Sequence, residues 1–271
     1  VLRTCEPWSP EAFPDIVVLA RGRVPVLERE RVAGAVGRLL MRFRVDRSAR
    51  IRMTASQPDK GPILVQVNLR PAGTPVRVQT LTHGPGDALP VLVRLERQLR
   101  TVRRAWSPRP WPDPTRSSLD APGPGILVRR KAFALQTVEP LTAAVAMDAM
   151  DYDVYLFADA ETGEDAIVYR ALPSGLRLAR QRGVHPPRAA MVSATVPVPL
   201  ITCSRPAPVL TESEAGDRVR EHGLPFLFYS DPDTARGHLM YRRYDSGLGL
   251  ITPVDTTTSP QPERQAIELG A

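Results

Sequence analysis

Cysteine is nearly missing from this chain of 271 residues: Cys5 and Cys203 are the only two, far apart and in unlike segments. Such a pair spells out neither a disulfide framework nor a thiolate metal site, and it is compatible with a reducing compartment. Histidine is thin as well. His83, His185, His222 and His238 are scattered, with no H-x-x-x-H, C-x-x-C or G-x-S-x-G spacing, and no glycine loop of the kind that cradles phosphate is present. The chain is therefore read as a non-enzyme that uses no cofactor and no metal. Long apolar runs are lacking too: stretches such as 16–20 fall far short of the ~20 residues that cross a bilayer. The start lacks the basic flank and apolar run of a secretory signal, so the expected location is cytoplasmic, with no membrane partner. Lysine is scarce, Lys60 and Lys131 being the only two among 36 Lys and Arg. The positive charge is guanidinium charge, a bias that a GC-rich genome also produces.

What is present, first, is a copy. Residues 153–178 return without a gap at an interval of 72: Asp159, Thr162, Tyr169, Arg170, Gly175, Leu176 and Leu178 become Asp231, Thr234, Tyr241, Arg242, Gly247, Leu248 and Leu250. A fixed interval marks a structural unit that needs a neighbour to finish its core. Nothing before residue 130 takes part, and charge divides at the same place. Residues 1–106 hold 19 Lys and Arg against 9 Asp and Glu, a balance of +10, and 107–131 add 5 against 2. Residues 132–271 hold 12 against 18, so the net +7 conceals a basic head and an acidic rear. A basic head suits a polyanion, and nucleic acid is the commonest one.

Within the head, the apolar β-branched run at 15–20 reads as a buried strand. From 27 to 43, Val32, Val36, Leu39, Leu40 and Phe43 recur at helical spacing. Three strands follow, in which Ile51, Met53, Ile63, Val65, Val67, Leu69, Val76 and Val78 alternate with Arg50, Arg52, Gln66, Arg77 and Gln79. Such alternation belongs to a sheet with one packed and one wet face. Turns are expected at 58–62 and 71–73, and a loop at 84–86 precedes a last helix over 89–105. On that helix Leu92, Leu95, Leu99 and Val102 fall within about 80° of one another. Arg94, Arg97, Arg100 and Arg104 fall opposite them, and Arg38 and Arg42 stripe the first helix more weakly. Guanidinium groups one turn apart suit a sugar-phosphate backbone; a solvated face is the competing reading.

Residues 106–130 are dense in proline and read as an extended, semi-rigid spacer, with Trp106 and Trp111 packing on their own domain rather than on bases. Each copy reads as a polar helix, then strands at 154–157, 166–170 and 176–178, and again at 226–229, 238–243 and 248–251. A meander this small cannot cover both faces or protect its edges, so it should pair. Tyr155, Phe157, Tyr169, Phe226, Phe228 and Tyr241 are the candidate pairing residues. The acidic turns 159–165 and 231–233 lack the full ligand set of a calcium loop and read as solvated. The whole is α+β: a β-α-β-β-β-α domain over 1–105 with two helices on one sheet face, a Pro-rich linker over 106–130, and two tandem β-meander repeats at 131–180 and 208–254. A second linker spans 181–207, and a loose tail spans 255–271.

The element order over about 14–105, closed by LPVLVRLERQLRTVRRAW with its L-x-x-L-E-R-Q-L pattern at 92–99, resembles the ribosome hibernation factor family; the fold also resembles double-stranded RNA-binding domains. The segment LPFLFYSDPDTARGHLMYRRYDSGLGLITP resembles the C-terminal domain of the long members of that family, in Pro225, Phe226, Tyr241, Arg242, Arg243, Gly249, Leu250, Ile251 and Pro253. With two copies the chain looks like the mycobacterial branch, its first copy drifted to Asp165, Ala171 and Arg177 where the second has Gly237, Arg243 and Gly249. The resemblance implies a translation inhibitor of starved, hypoxic or dormant cells. It would occupy the mRNA and A- and P-site tRNA groove of the small ribosomal subunit and hold rRNA through Arg94, Arg97, Arg100, Arg104, Arg38 and Arg42. Large-subunit contacts by the rear are left open, and DNA is not an expected partner. Paired within one chain, the copies would leave a factor that idles single ribosomes. Joining two ribosomes through the C-terminal domain, or acting on free RNA or the transcription machinery, are the alternatives.

Overall fold

A computed structural model describes residues 16–45, 48–55, 63–82, 86–109, 111–113, 123–171, 175–187 and 200–254. The turn read at 58–62, residues 84 and 85 of the loop, much of both linkers and the tail 255–271 lie outside them. The described residues form an α+β protein of four α-helices and thirteen strands in three sheets. The chain divides into two compact units, one built on the residues up to 105 together with 149–151, the other on 106–148 and the residues from 152.

The first unit runs β1 (Ile16–Arg21), α1 (Val26–Arg42), β2 (Ala49–Ala55), β3 (Ile63–Leu69), β4 (Val76–Thr82) and α2 (Leu89–Val102). Its sheet has the order β1-β2-β3-β4. The α1 crossover makes β1 parallel to β2, while short turns make the other pairs antiparallel. Proline and glycine at 71–73 fold a 3₁₀ turn between β3 and β4, with Gly73 at φ +88°. Val32, Val36, Leu39 and Leu40 of α1 and Val91, Leu95 and Leu99 of α2 share one core with Ile51, Met53, Val65, Val67, Val76 and Val78 of the sheet. The opposite face is less wet than the alternation implies. Gln66 and Arg77 are buried there, and the registered pairs Gln66–Gln79 and Asn68–Arg77 bond across the strands at 2.9 and 2.7 Å. Paired side chains satisfy one another where water does not.

In the second unit the first copy comprises β6 (Thr137–Val138), α3 (Pro140–Ala149), β7 (Val154–Asp159), β8 (Asp165–Tyr169) and β9 (Leu176–Arg180). The second comprises a single parallel bridge from Val209 to Ser230, then α4 (Glu212–Glu221), β11 (Phe226–Ser230), β12 (Gly237–Arg242) and β13 (Leu248–Pro253). Each helix packs on one face of its own meander, at equivalent positions. Ala143 and Met147 meet Phe157, Val168, Leu176 and Leu178; Ala215 and Val219 meet Tyr229, Met240, Leu248 and Leu250. A capping box of Thr211 and Glu214 starts α4. Helix α3 is not the polar segment expected: PLTAAVAMDA starts from Pro140 and buries Ala143, Ala144 and Met147.

The largest departure from the sequence reading lies in the two linkers. Residues Leu127–Phe133 form a strand, β5, and Leu200–Thr202 form another, β10. Strand β5 precedes the first copy yet runs parallel to β13 of the second, and β10 precedes the second copy yet runs parallel to β9 of the first. The sheets are therefore β11-β12-β13-β5 and β10-β9-β8-β7-β6. Nor is the first linker all spacer. Trp106 packs on the core of the first copy and donates to Asp148 at 2.9 Å, Arg109 donates to the Asp148 carbonyl, and the Trp111 ring lies under Arg170 at 5.8 Å. The acidic turns also differ from expectation. Asp159 is fully buried and bonded to Arg180 at 2.6 Å, because its carboxylate closes the end of β7 onto β9.

His238 is buried in β12 with its ring edge-on to Tyr229 at 5.6 Å. Burial holds its imidazole below the ordinary value of 6.5, against the opposing pull of Asp231 and Asp165. The folded form thus binds that proton less readily than the unfolded chain. The resulting stability is present above about pH 6.5 and lost as pH falls below it. The transition temperature of the second unit is expected to drop between pH 7.5 and pH 5.5 in the native chain and to drop less in His238→Gln; calorimetry of both across that range checks it.

Candidate nucleic-acid interface and the seam between the copies

The C-terminal turns of α1 and α2 meet. Arg103 donates to the carbonyl of Phe43, which ends α1, and its guanidinium lies over the Phe43 ring at 5.2 Å. Glu96 of α2 accepts from Arg100 one turn on at 2.6 Å and pairs with Arg42 of α1 at 3.3 Å. Helix C-termini carry partial negative charge and unsatisfied carbonyls, so cations gather there favourably. Arg38, Arg42, Arg44, Arg100, Arg103 and Arg104 are all exposed. The result is a field of guanidinium groups on the helical side of the unit, into which, among the described residues, the Glu96 carboxylate is set.

Arg94 does not belong to that field. It is 9 % exposed and bonded through one nitrogen to both oxygens of Asp151 at 2.5 Å. The reason is what covers that side of α2: Arg94 lies about 40° from Gln98 on the helical wheel, and the Asp151 carboxylate and the Ala149 carbonyl meet the two side chains there. Gln98 is itself buried and donates to the Ala149 carbonyl. Arg97 is half-buried, whereas Arg38, Arg42, Arg100 and Arg104 face solvent. Arg103 was missed in the sequence because it falls between the two stripes of the helical wheel. Only the position of Phe43 gives it a partner.

The six aromatics chosen for the seam divide by parity. Phe157 belongs to the core beneath α3, and Tyr155 packs against that same core, with its hydroxyl on Gln136 at 3.0 Å. Burial pushes the Tyr155 hydroxyl up to about 12. In a strand successive side chains point to opposite faces, so the other face of β7 carries Leu156 instead. Tyr169 meets Phe226 edge-on at 5.3 Å, and its hydroxyl sits 3.2 Å from the Cys203 sulfur. Burial first, then Cys203, pushes that hydroxyl up to about 12. Phe228 is buried, while Tyr241 lies across Gly249, where a Cβ would come within 2.4 Å of its ring.

The polar part of the seam centres on Asp165, at 4 % exposure. Its carboxylate accepts from the Gly237 amide at 2.7 Å and from Arg236 Nε at 2.8 Å. Gln181 donates to Ser230 Oγ and to the Ala235 carbonyl. Arg130 of β5 is ion-paired with Glu212 of α4, and Arg220 donates to the Gly125 carbonyl just before β5. Among the described residues no group of three or more His, Cys, Asp or Glu is placed to hold a metal ion, and no helix is long and apolar enough to cross a membrane.

Breaking a buried pair from one side costs about 3–5 kcal/mol, whereas exposed arginines contribute little to stability. Arg94→Met is expected to lower the melting temperature with little change in RNA affinity, and Arg100→Gln to do the reverse. Glu96→Gln removes the carboxylate that occupies Arg42 and Arg100. It is expected to tighten binding to a duplex RNA several-fold and to steepen the log-affinity against log-salt slope by about 1. Filter binding over a salt series, beside thermal melts, checks all three.

Comparison with known proteins agrees with this architecture. The family described as Sigma 54 modulation/S30EA ribosomal protein C terminus matches residues 124–178, the first copy and the strand before it. The chain is 54 % identical over 250 residues, 92 % of its own length and 92 % of the relative's, to the dormancy associated translation inhibitor of Mycobacterium tuberculosis, in both strain H37Rv and strain CDC 1551. It is 33 % identical over 94 residues to the ribosome hibernation promotion factor of Deinococcus radiodurans, covering 28 % of this chain and 49 % of that one. Identity of 54 % sustained over 92 % of both chains, with the family match at 124–178, places the chain in the ribosome hibernation factor family.

Proposed function

We propose that this protein is a ribosome hibernation factor of the cytoplasm, whose head occupies the mRNA and tRNA groove of the small subunit at the decoding centre. By filling that groove it inhibits translation in stressed or dormant cells. The observation that carries this reading is the arginine field at the joined C-terminal turns of α1 and α2. Arg38, Arg42, Arg100 and Arg104, with Arg97 at the edge, are the proposed rRNA contacts; Arg94 supports them from within. Phosphate neutralisation by five arginines gives a log-affinity against log-salt slope of about −4, and steric occupation needs no catalytic group.

The rear is proposed to complete itself within one chain, its two copies covering one another, so that ribosomes stay single. The exchange of β5 and β10 between the copies supports this, as does the buried Asp165. Short linkage places the copies at a roughly millimolar effective concentration for one another. Cosedimentation with vacant ribosomes on sucrose gradients tests both parts. The native protein is expected to travel with single ribosomes and to be displaced by mRNA with initiator tRNA. The exposed triple variant Arg38→Glu/Arg100→Glu/Arg104→Glu is expected to stay at the top of the gradient with an unchanged melt. Triple-variant protein still bound to ribosomes would overturn the head assignment and favour rear-led binding. A dominant ribosome-dimer peak would overturn pairing within the chain.

A further inference from the structure

Asp165 and Gly237 stand 72 residues apart, one repeat interval, and they touch. Each opens the middle strand of its own copy: Asp165 is registered with Ala158, and Gly237 with Ser230, the residue 72 on from Ala158. Where two related surfaces pack about a two-fold axis, residue i of one meets residue j of the other and j meets i. Only a residue on the axis meets its own equivalent, so this pair marks the pseudo-axis of the rear unit. It is also a place where the copies have diverged. A Cβ on Gly237 would lie 2.6 Å from Asp165 Cβ and 2.7 Å from the Phe228 ring, so the glycine is the space into which the aspartate fits. Charge is divided in the same way. Arg236 of the second copy donates to Asp165, while its equivalent in the first copy is Glu164, which instead accepts from the Arg182 and Gly183 amides.

From this we infer that Asp165 and Gly237 are the specificity-determining pair of the seam: they make the first copy a partner for a second copy and for nothing like itself. First copy against first copy would press two carboxylates together at a buried axis, which is costly whether they are charged or neutralised. Second copy against second copy would leave two Arg236 groups facing each other with no carboxylate between them. The mixed pair alone satisfies both space and charge, and the chain carries one of each. The partner that this surface accepts is thus a meander with glycine at the axis and arginine before it. The inference rests on the proposed pairing within the chain and adds its discriminating element.

The test uses full-length chains and complementation. Gly237→Asp places a second carboxylate at the axis and is expected to open the seam. Asp165→Gly removes the carboxylate that Arg236 needs. Mixed in equal amounts, the two variants regain one native seam between chains, because the first contributes Asp165 and the second contributes Gly237 with Arg236. Native mass spectrometry is expected to show a one-to-one dimer in the mixture, little dimer in either variant alone, and monomer in the native protein. No dimer on mixing, or as much dimer in Gly237→Asp alone as in the mixture, overturns the inference. Should Gly237→Asp fail to fold, Gly237→Ala serves through melting temperature. Its loss is expected to be large in the native background and smaller when Asp165→Gly is already present, only the contact with the Phe228 ring then remaining; equal losses in both backgrounds overturn the inference. Ribosome gradients of the native protein judge the pairing itself, so the two readings fail separately.

Discussion

A three-stranded meander with one helix has two faces and only one cover. That shortage governs the rear half of this protein. Helices α3 and α4 each close one face of their own meander with small apolar residues, Ala143 and Met147 in one case and Ala215 and Val219 in the other. The opposite faces carry Leu156, Ile167, Phe228, Leu239 and Ile251, all buried, although no helix of their own copy covers them. Open edges have the same solution. The last strand of each copy takes as its parallel neighbour the strand that leads into the other copy, so an edge that would attract foreign chains is occupied. Duplication is thus a physical answer to incomplete burial.

The head solves a different problem, namely how to hold like charges together without unfolding. Two helices on one sheet face bring their C-terminal turns side by side, and the carbonyl ends of α1 and α2 make that region electronegative before any side chain is placed. Arginine then serves two ends at once. Arg103 satisfies the Phe43 carbonyl and lies over its ring, while the exposed Arg38 and Arg104 remain directed to solvent. Glu96 tempers the repulsion between Arg42 and Arg100. Guanidinium suits this crowding better than ammonium does, because it is weakly hydrated and spreads its charge over a plane. A chain almost free of lysine fits that use.

How far the sequence discloses this depends on whether a residue's role is set by its own element or by a distant one. Helical and strand periods are local, so the apolar faces of α1 and α2 and the order of the head are legible, as is the 72-residue interval of the rear. Strand β5 is not, because it is an edge strand whose sequence, LVRRKAF, half-buries Leu127, Arg129, Lys131 and Phe133 and exposes the rest. Its charges guard an edge and blur the alternation that would reveal it. Strand β10 is three residues long and gives no pattern. Arg94 and Arg100 look alike on a helical wheel until Asp151 enters, 57 positions away. Aromaticity does not disclose the face: Tyr155 and Phe157 fall on the α3 side of β7, one residue out of step with the buried Leu156.

The drift of the first copy points the same way. Read along the chain, Asp165 for Gly237 and Arg177 for Gly249 look like decay of a duplicated unit. In the fold each change has a partner. Asp165 fills the space that Gly237 vacates and binds its amide. In the second copy Tyr241 lies across Gly249; in the first, Arg177 is registered opposite Tyr169 and leaves no such bed, and Tyr169 turns to Phe226 and Cys203. Once two copies share one chain, selection acts on the pair, and positions near the axis are released from having to match themselves. A symmetric seam demands a residue that tolerates its own image. An asymmetric one admits a carboxylate on one side and a glycine with a neighbouring arginine on the other, and gains a charge-assisted hydrogen bond that no symmetric pairing of the same two residues can form.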